Sequence, residues 1–249
     1  MKSKLLIGKL KTLINTTIQR SKMAWRSKGK DNPELISQLE LNGVIKNPIV
    51  KAAMLATDRK YYCPHNPYTD APQTIGHSVT ISAPHMHAYA LDLLLDKLHS
   101  ECKVLDVGSG SGYLTACFAR AITSKEGANN ALVVGIEHQP ELVEKGIDNI
   151  SKDDGSLLDS GKVLIVEGDG RLGYLKEAPY DAIHVGATSP TIPAALLDQL
   201  KNGGRMVCPI GPEDGNQYLE QFDKDFEGVI HQKRLYGVRY VPLTDLRRS

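Results

Sequence analysis

The segment that decides the fold is Val104-Leu105-Asp106-Val107-Gly108-Ser109-Gly110-Ser111-Gly112. Its first four residues predict a buried strand, and its three alternating glycines predict a tight turn. The apolar pattern that follows, from Tyr113 to Ile122, predicts a helix. Glycines let the backbone approach a ligand closely, and the N–H groups at the start of a helix offer hydrogen bonds to it. The segment therefore predicts a strand, turn and helix that bind a ligand at the turn.

The alternation of strands and helices continues after this segment and sets the fold class. Strands separated by helical patterns of this length indicate βαβ crossovers, and we expect an α/β fold with a Rossmann-like, doubly wound, mostly parallel sheet. After Gly203 the helices cease, so some of the later strands must be antiparallel. The predicted strands are Lys103–Val107, Leu132–Glu137, Lys162–Val166, Asp181–Val185, Arg205–Ile210, Tyr218–Phe222, Val229–Leu235 and Val238–Val241, and the predicted helices are Tyr113–Ile122, Pro140–Ile150 and Pro193–Leu200.

An N-terminal helical lobe is predicted to precede the sheet. Two short helices are expected, one beginning near Pro33 and one at Pro48. The content of Pro, Asn and Asp in residues 61–76 excludes a long element there. A third helix, with Pro84 in its first turn, is predicted to continue to Leu98.

Composition limits the number of domains and the partners. A chain of 249 residues, 41% hydrophobic and 24% charged, favours one domain, which we place at residues 23–249. The 30 basic and 29 acidic residues give a net charge of +1, which argues against nucleic acid as the main partner. No apolar run is long enough to predict a membrane span. The four cysteines lie far apart without a CxxC pair, which indicates free thiols in a reducing compartment, and nothing requires more than a monomer.

Residues 1–22 differ from the rest because they carry six Lys and Arg residues and no acid. We interpret them as a leader or a disordered tail, since Met23 offers a start of its own. Because we do not interpret these residues as a targeting signal, we expect a cytoplasmic protein. The alternative is a mitochondrial transit peptide or a helix that lies on a membrane.

Acidic residues at three successive strand ends predict the cofactor. Asp106 precedes the glycine turn, which is GxGxG and not the dinucleotide pattern GxGxxG. Its carboxylate disfavours a pyrophosphate and favours a cationic ligand such as S-adenosylmethionine. Glu137 is placed to accept hydrogen bonds from ribose hydroxyls, and Asp169 to accept one from the adenine amine. An NAD enzyme is the alternative, because ribose recognition is common to both.

The chain resembles the protein-L-isoaspartate (D-aspartate) O-methyltransferase family from Met23 to about Arg247. The stretch Thr-Ile-Ser-Ala-Pro-His-Met-His-Ala, residues 80–88, is far more specific than the glycine turn. The resemblance implies transfer of a methyl group from S-adenosylmethionine, leaving S-adenosylhomocysteine, to the free carboxylate of L-isoaspartyl and D-aspartyl residues in damaged proteins, which initiates their repair. The segments that carry it are Met23–Ser27, Ala56–Arg59, Thr80–Leu91, Asp106–Arg120, Ala178–Gly186 and Tyr240–Asp245.

The resemblance also implies the roles of single residues. Ser82 is the implied active-site residue; without the resemblance its better interpretation is a helix N-cap. Val241 is expected to join Ser82 in binding the substrate, by pairing with an extended peptide, although an ordinary terminal strand explains it equally well. The implied cofactor contacts are Val79, Thr80, Ile81, Ser82, His87, Ser111, Glu137, His138, Asp169, Gly170 and Thr244, to which the glycine turn adds Asp106, Gly108 and Gly110.

Three other interpretations compete with this one. An enzyme of the same fold could act on a small molecule or on nucleic acid. A non-catalytic adaptor is a rival of a different class, but such relatives carry a long C-terminal extension, which we do not expect here. The pair His85 and His87 has no third ligand at a useful spacing, so we expect no metal site.

Overall fold

The computed structural model describes residues 26–123 and 130–243. The predicted leader, residues 1–22, and Thr244 lie outside this part of the chain. The helices are α1 (Asn32–Leu41), α2 (Pro48–Ala56), α3 (Pro84–Leu94), α4 (Tyr113–Thr123), α5 (Pro140–Asp154), α6 (Ser156–Asp159) and α7 (Ala194–Asp198), with 3-10 turns at Arg59–Tyr61, Leu95–Lys97 and Leu175–Glu177. The strands are β1 (Gln73–Gly76), β2 (Val79–Ile81), β3 (Lys103–Val107), β4 (Leu132–Glu137), β5 (Val163–Glu167), β6 (Tyr180–Val185), β7 (Leu200–Ile210), β8 (Gln217–Lys224) and β9 (Ile230–Val238).

The main sheet has seven strands in the order β5-β4-β3-β6-β7-β8-β9. The first five run parallel, whereas β8 is antiparallel to β7 and β9 is antiparallel to β8. The strand order reverses between β3 and β6, and open α/β sheets bind ligands beyond the carboxyl ends of the strands at such a point. The doubly wound, mostly parallel sheet predicted from the sequence is confirmed.

One apolar core joins the N-terminal lobe to the sheet. It contains Leu35 and Met54 from α1 and α2, Leu91 from α3, Phe118 from α4 and Val104 from β3, each almost fully buried. A second core covers the opposite face of the sheet. Because the lobe shares its core with the sheet, its position relative to the glycine turn is fixed.

The helices of the lobe begin where the sequence places capping residues. The side chains of Asp31 and Asn47 accept hydrogen bonds from backbone N–H groups in the first turns of α1 and α2. In α3 the cap position belongs to Ala83, which has no capping side chain. This helix ends at Leu94, and the 3-10 turn Leu95–Lys97 extends it nearly to the predicted end.

The predicted helix at Pro193–Leu200 is wrong in its length. The structure has only the short α7, because Leu200 already pairs with Tyr180 of β6 as the first residue of β7. The Gln199 carbonyl oxygen likewise accepts from the Tyr180 N–H at 2.9 Å, so the backbone here pairs with β6 and does not continue the helix.

The two predicted strands at Val229–Leu235 and Val238–Val241 are also corrected. Residues 230–238 form the single strand β9, in which Gly237 pairs with Tyr218 of β8. Cross-strand pairing keeps the strand continuous through a glycine that the sequence pattern treats as a boundary.

Three further findings concern the described residues. No helix within 26–123 and 130–243 is both long and apolar enough to cross a membrane. All four cysteines lie in the described residues, are buried, and form no disulfide there. In the same ranges, no three His, Cys, Asp or Glu side chains cluster as a metal site would require.

Candidate active site

A cavity of about 990 Å³ lies beyond the carboxyl ends of β3 and β4, where the strand order reverses. Every predicted site residue in the described ranges lines it: Val79, Thr80, Ile81, Ser82, His87, Asp106, Gly108, Gly110, Ser111, Glu137, His138, Asp169, Gly170 and Val241. The lobe, the sheet and the C-terminal segment thus meet at one cavity, while Thr244 falls outside the residues that the structure describes.

The glycine turn after β3 requires glycine for two physical reasons. Gly108, Gly110 and Gly112 all have positive φ angles, which side chains disfavour. A Cβ atom on Gly112 would also lie 3.0 Å from the Ile150 side chain and 3.2 Å from the Gly146 carbonyl oxygen. The turn therefore packs closely against α5 at Gly112, while Gly108 and Gly110 line the cavity.

Glu137 ties the end of β4 to this turn. Its Oε2 accepts a hydrogen bond from the Gly110 N–H at 3.1 Å, and its Oε1 accepts from His138 and Gln139 at 2.8 and 3.1 Å. A carboxylate offers about four acceptor positions, so three are occupied by the backbone and one on Oε2 remains for a ligand. Glu137 thus shapes the turn as well as facing the cavity.

Asp106 lies at the centre of a buried hydrogen-bond chain. His184 Nδ1 lies 2.8 Å from its Oδ1, and the Thr115 hydroxyl donates to its Oδ2 at 2.6 Å. Since a carboxylate only accepts, Nδ1 of His184 carries a hydrogen, and Nε2 is the other polar atom of the ring. Asp106 therefore brings negative charge to the cavity wall and fixes the orientation of the His184 imidazole.

Asp169, which lines the cavity, forms an ion pair with Arg171. Arg171 donates to both carboxylate oxygens through Nε and Nη2, the shortest contact being 2.6 Å. These hydrogen bonds from Arg171 hold the pKa of Asp169 below its usual value, so the carboxylate stays ionised. The neighbouring Gly170 packs against Val107, where an added Cβ would lie only 2.5 Å from Val107 Cγ1.

Ser82 connects β2 to α3 and is half-buried at the cavity wall. It is not the helix cap, because that position belongs to Ala83. Its side chain is a neighbour of the Tyr240 phenol, and its carbonyl oxygen accepts a hydrogen bond from Arg59 Nη2 at 2.8 Å. Burial raises the pKa of the Tyr240 phenol, which therefore keeps its proton as a neutral partner of Ser82.

His87, in the first turns of α3, is buried beside the cavity. Its ring lies 4.9 Å from the Tyr113 ring, measured between centroids, and its Nδ1 lies 3.4 Å from Arg59 Nη1. Burial, followed by the charges of Arg59 and of the other histidines, holds the pKa of His87 well below its usual range. The imidazole is consequently neutral at physiological pH.

The C-terminal segment forms one rim of the cavity, with Val241 41% exposed. Thr188 donates its N–H to the Val241 carbonyl and accepts from the Leu243 N–H, both at 2.8 Å. In an extended segment alternate residues face opposite sides, so Pro242 turns its carbonyl away from Thr188 and has no N–H of its own.

Comparison with known proteins identifies the family. A profile of the protein-L-isoaspartate(D-aspartate) O-methyltransferase family matches residues 30–248. The chain is 52% identical over 222 residues to a protein-L-isoaspartate O-methyltransferase of Caenorhabditis elegans, which covers 89% of this chain and 96% of the relative. This chain belongs to that family.

Other members show the same relationship. Protein-L-isoaspartate O-methyltransferase 1 of Arabidopsis thaliana is 46% identical over 216 residues, covering 86% of this chain and 91% of the relative. A Plasmodium falciparum structure described as a protein-L-isoaspartate O-methyltransferase, in complex with S-adenosyl-L-homocysteine, superposes with a TM-score of 0.80. It is 36% identical and covers 87% of this chain and 99% of that one.

The sequence patterns did not point to several residues of this family member's cavity. His184 lies in the interior of β6, directly opposite Asp106 of β3. A histidine in an otherwise apolar strand next to the strand that carries the acid is the signal that could have found it. The other cavity residues outside the predicted set are Ile75, His77, Ser78, Ser109, Tyr113, Leu114, Ile136, Gln139, Pro140, Glu141, Gly186, Ala187, Glu213, Pro242 and Leu243.

Proposed function

We propose that the cavity at the carboxyl edge of the sheet is where this enzyme methylates the free carboxylate of L-isoaspartyl and D-aspartyl residues in damaged proteins, the first step of their repair. The observation that carries the proposal is the meeting of two unlike walls in one cavity. Asp106 and Glu137 suit a cationic nucleoside, while Ser82 and the Val241 rim suit an extended peptide that carries a carboxylate. The proposal is tested by measuring the transfer of a radiolabelled methyl group from S-adenosylmethionine to isoaspartyl and aspartyl peptides of one sequence.

The polar groups of the first wall fit S-adenosylmethionine. The buried hydroxyl of Ser109 has no hydrogen-bond partner among the described residues, and one acceptor position of Glu137 is unused. Buried polar groups are normally satisfied, so these two groups support a polar ligand at the glycine turn. Asp106 would hold the positive end of such a ligand near the reacting carboxylate. When bound, S-adenosylmethionine supplies an activated methyl group and leaves as S-adenosylhomocysteine.

The residues of the second wall have a modest chemical task. An ionised carboxylate, with an ordinary pKa of about 4, is already a nucleophile at neutral pH and needs no general base. Orientation is then the main source of rate. The Ser82 hydroxyl donates a hydrogen bond to one carboxylate oxygen and leaves the other free to react. Tyr240 keeps the Ser82 side chain in reach of the acceptor.

The Val241 rim would bind the substrate main chain on one side only. Thr188 already pairs with Val241 and Leu243, so the Pro242 carbonyl is the group that faces an incoming peptide. A peptide aligned there donates an N–H to Pro242 and receives none back, because proline has no N–H. This weak, one-sided pairing suits an enzyme that must accept many sequences.

Replacement of Glu137 by Ala is expected to raise the dissociation constant of S-adenosylhomocysteine about tenfold or more, measured by calorimetry. One charge-assisted hydrogen bond to the ligand is lost, which is commonly worth about 1.5–3 kcal/mol. The glycine turn also loses the acceptor that holds the Gly110 N–H. Glu141→Ala is the matched control, since it removes an exposed carboxylate from the same cavity. Equal binding by the two variants would contradict the role of Glu137.

The methyltransferase domain is proposed to span residues 23–249, with residues 1–22 as a separate leader. The family match begins at residue 30, after the leader. Deletion of residues 1–22 is therefore expected to leave turnover and melting temperature nearly unchanged. A large loss of either in the shortened protein would show that the leader belongs to the domain.

We further propose a cytoplasmic monomer that acts on isoaspartyl proteins. The four buried cysteines, none of which forms a disulfide within the described residues, support a reducing compartment. Sedimentation of the purified chain tests the monomer. Fractionation of cells that express the full chain and the chain without residues 1–22 tests the compartment and the alternative of mitochondrial import.

A further inference from the structure

Arg59 is a buried cation that the catalytic roles described above do not use. It opens the 3-10 turn Arg59–Tyr61 in the lobe and has no exposed surface. Its Nη2 donates to the Ser82 carbonyl oxygen at 2.8 Å, and its Nη1 lies 3.4 Å from His87 Nδ1. The guanidinium also lies over the Tyr113 ring, 5.3 Å from the centroid. One side chain thus contacts both residues that we place at the reacting groups.

The guanidinium of Arg59 is buried without a carboxylate partner in the part of the chain that the structure describes, which destabilises a fold more than a paired arginine does. Arg59 forms no ion pair with a carboxylate of the described residues, and its buried Nε has no hydrogen-bond partner among them. Arg120, by contrast, lies 2.7 Å from Asp153. An unpaired buried charge destabilises a fold unless other interactions offset it. Burial accordingly lowers the pKa of Arg59 from its very high usual value.

The contact with His87 determines which nitrogen of that imidazole carries the proton. A guanidinium can only donate hydrogen bonds, so Nδ1 must be the accepting, unprotonated nitrogen. A neutral imidazole then carries its hydrogen on Nε2. His87, which lines the cavity, thereby offers an N–H donor that suits an acceptor atom of the cofactor.

The contact with Ser82 acts on the main chain. The bond from Arg59 to the Ser82 carbonyl fixes the peptide plane between β2 and α3. The Ser82 side chain is attached to the Cα at the start of that peptide, so the same plane sets where its hydroxyl can lie beside Tyr240. A small rotation of this peptide would move the hydroxyl away from the acceptor carboxylate. Misplacement of reacting groups strongly lowers the reaction rate.

We propose that Arg59 is a positioning residue that holds the Nε2–H tautomer of His87 and the main chain of Ser82, and so sets the cofactor and the acceptor carboxylate in register. The proposal rests on the roles proposed for His87 and Ser82 in methyl transfer. It assigns Arg59 no contact with either substrate, since it does not line the cavity.

The first test is the nitrogen-15 spectrum of the full chain, labelled at its eight histidines and saturated with S-adenosylhomocysteine. The His87 signals are assigned by their absence from the His87→Gln variant. We expect an unprotonated Nδ1 and a protonated Nε2 in the unmodified protein. In Arg59→Met, which removes both donors at similar length, the proton is expected to distribute over the two nitrogens. A proton on Nδ1 in the unmodified protein would overturn the proposal.

The second test separates positioning from stability. Arg59→Met is expected to raise the dissociation constant of S-adenosylhomocysteine about tenfold and to lower kcat for an isoaspartyl peptide about tenfold, as loss of one positioning bond on each side implies. Arg59→Lys keeps the charge but cannot reproduce the two-pronged geometry, and is expected to show the same losses in part. Arg120→Met is the matched control: it should lower the melting temperature while ligand binding and the His87 signals stay unchanged.

Each outcome decides a separate point. Unchanged His87 signals in Arg59→Met, with both constants within twofold of the unmodified protein, would overturn the proposal. If Arg59→Met does not fold, Arg59→Lys and the spectrum of the unmodified protein decide in its place. If the unmodified protein methylates neither peptide, the proposed function fails, whereas the His87 signals and the ligand affinity still report on Arg59.

Discussion

An isoaspartyl peptide is expected to show a kcat/KM at least about a hundredfold higher than an aspartyl peptide of the same sequence. The two acceptors have the same atoms and the same charge, so selectivity must come from geometry. In the isopeptide the main chain runs through the β-carbonyl, and the free carboxylate sits one methylene closer to the backbone. If the Val241 rim holds the main chain and Ser82 holds the carboxylate, only one isomer can align an oxygen with the methyl group. A misplacement of about 1 Å can cost a hundredfold.

The measurement is made with the matched peptide pair at saturating S-adenosylmethionine. Because the main chain must extend along the rim, folded proteins should react only where a damaged segment is flexible and accessible. Near-equal kcat/KM values would reduce the activity to that of a general carboxyl methyltransferase. Methylation of neither peptide would favour a small-molecule acceptor or an adaptor role.

Replacement of Ser82 by Ala is the second change with a large expected effect. We expect kcat for an isoaspartyl peptide to fall about a hundredfold, as loss of one positioning bond of ~2–3 kcal/mol implies. The dissociation constant of S-adenosylhomocysteine should change much less, because the hydroxyl is assigned to the acceptor. Turnover assays and calorimetry on the same preparation make the comparison.

Two further variants define what the Ser82 result means. Ser82→Thr keeps a hydroxyl and should retain more activity than Ser82→Ala. Tyr240→Phe removes the phenol that Ser82 contacts and should lower kcat by a smaller factor. The structure already excludes helix capping by Ser82, since Ala83 occupies that position. An unchanged rate in Ser82→Ala would therefore leave Ser82 only as a partner of Tyr240.

Local patterns were sufficient for the parallel half of the sheet. Strands β3, β4 and β6 are mostly apolar and almost entirely buried, and the three glycines after β3 adopt the positive φ angles that their spacing in a tight turn indicates. The patterns failed where long-range pairing competes with local preference. Leu200 joins β7 and not a helix because Tyr180 offers a partner strand, and Gly237 stays within β9 because Tyr218 does.

The sequence by itself determined the fold class, the glycine turn and most of the polar side chains that line the cavity, because these depend on periodicity, on glycine conformation and on the types of side chains at strand ends. Only the tertiary structure decided which hydrogen-bonding positions in the cavity other residues already occupy. It occupies three acceptor positions of Glu137 with backbone N–H groups and joins Asp106 to His184 across two strands. It also sets Arg59 against residues 23 and 28 positions away. Hydrogen-bond partners of this kind are settled by packing between distant segments, and no local pattern records them.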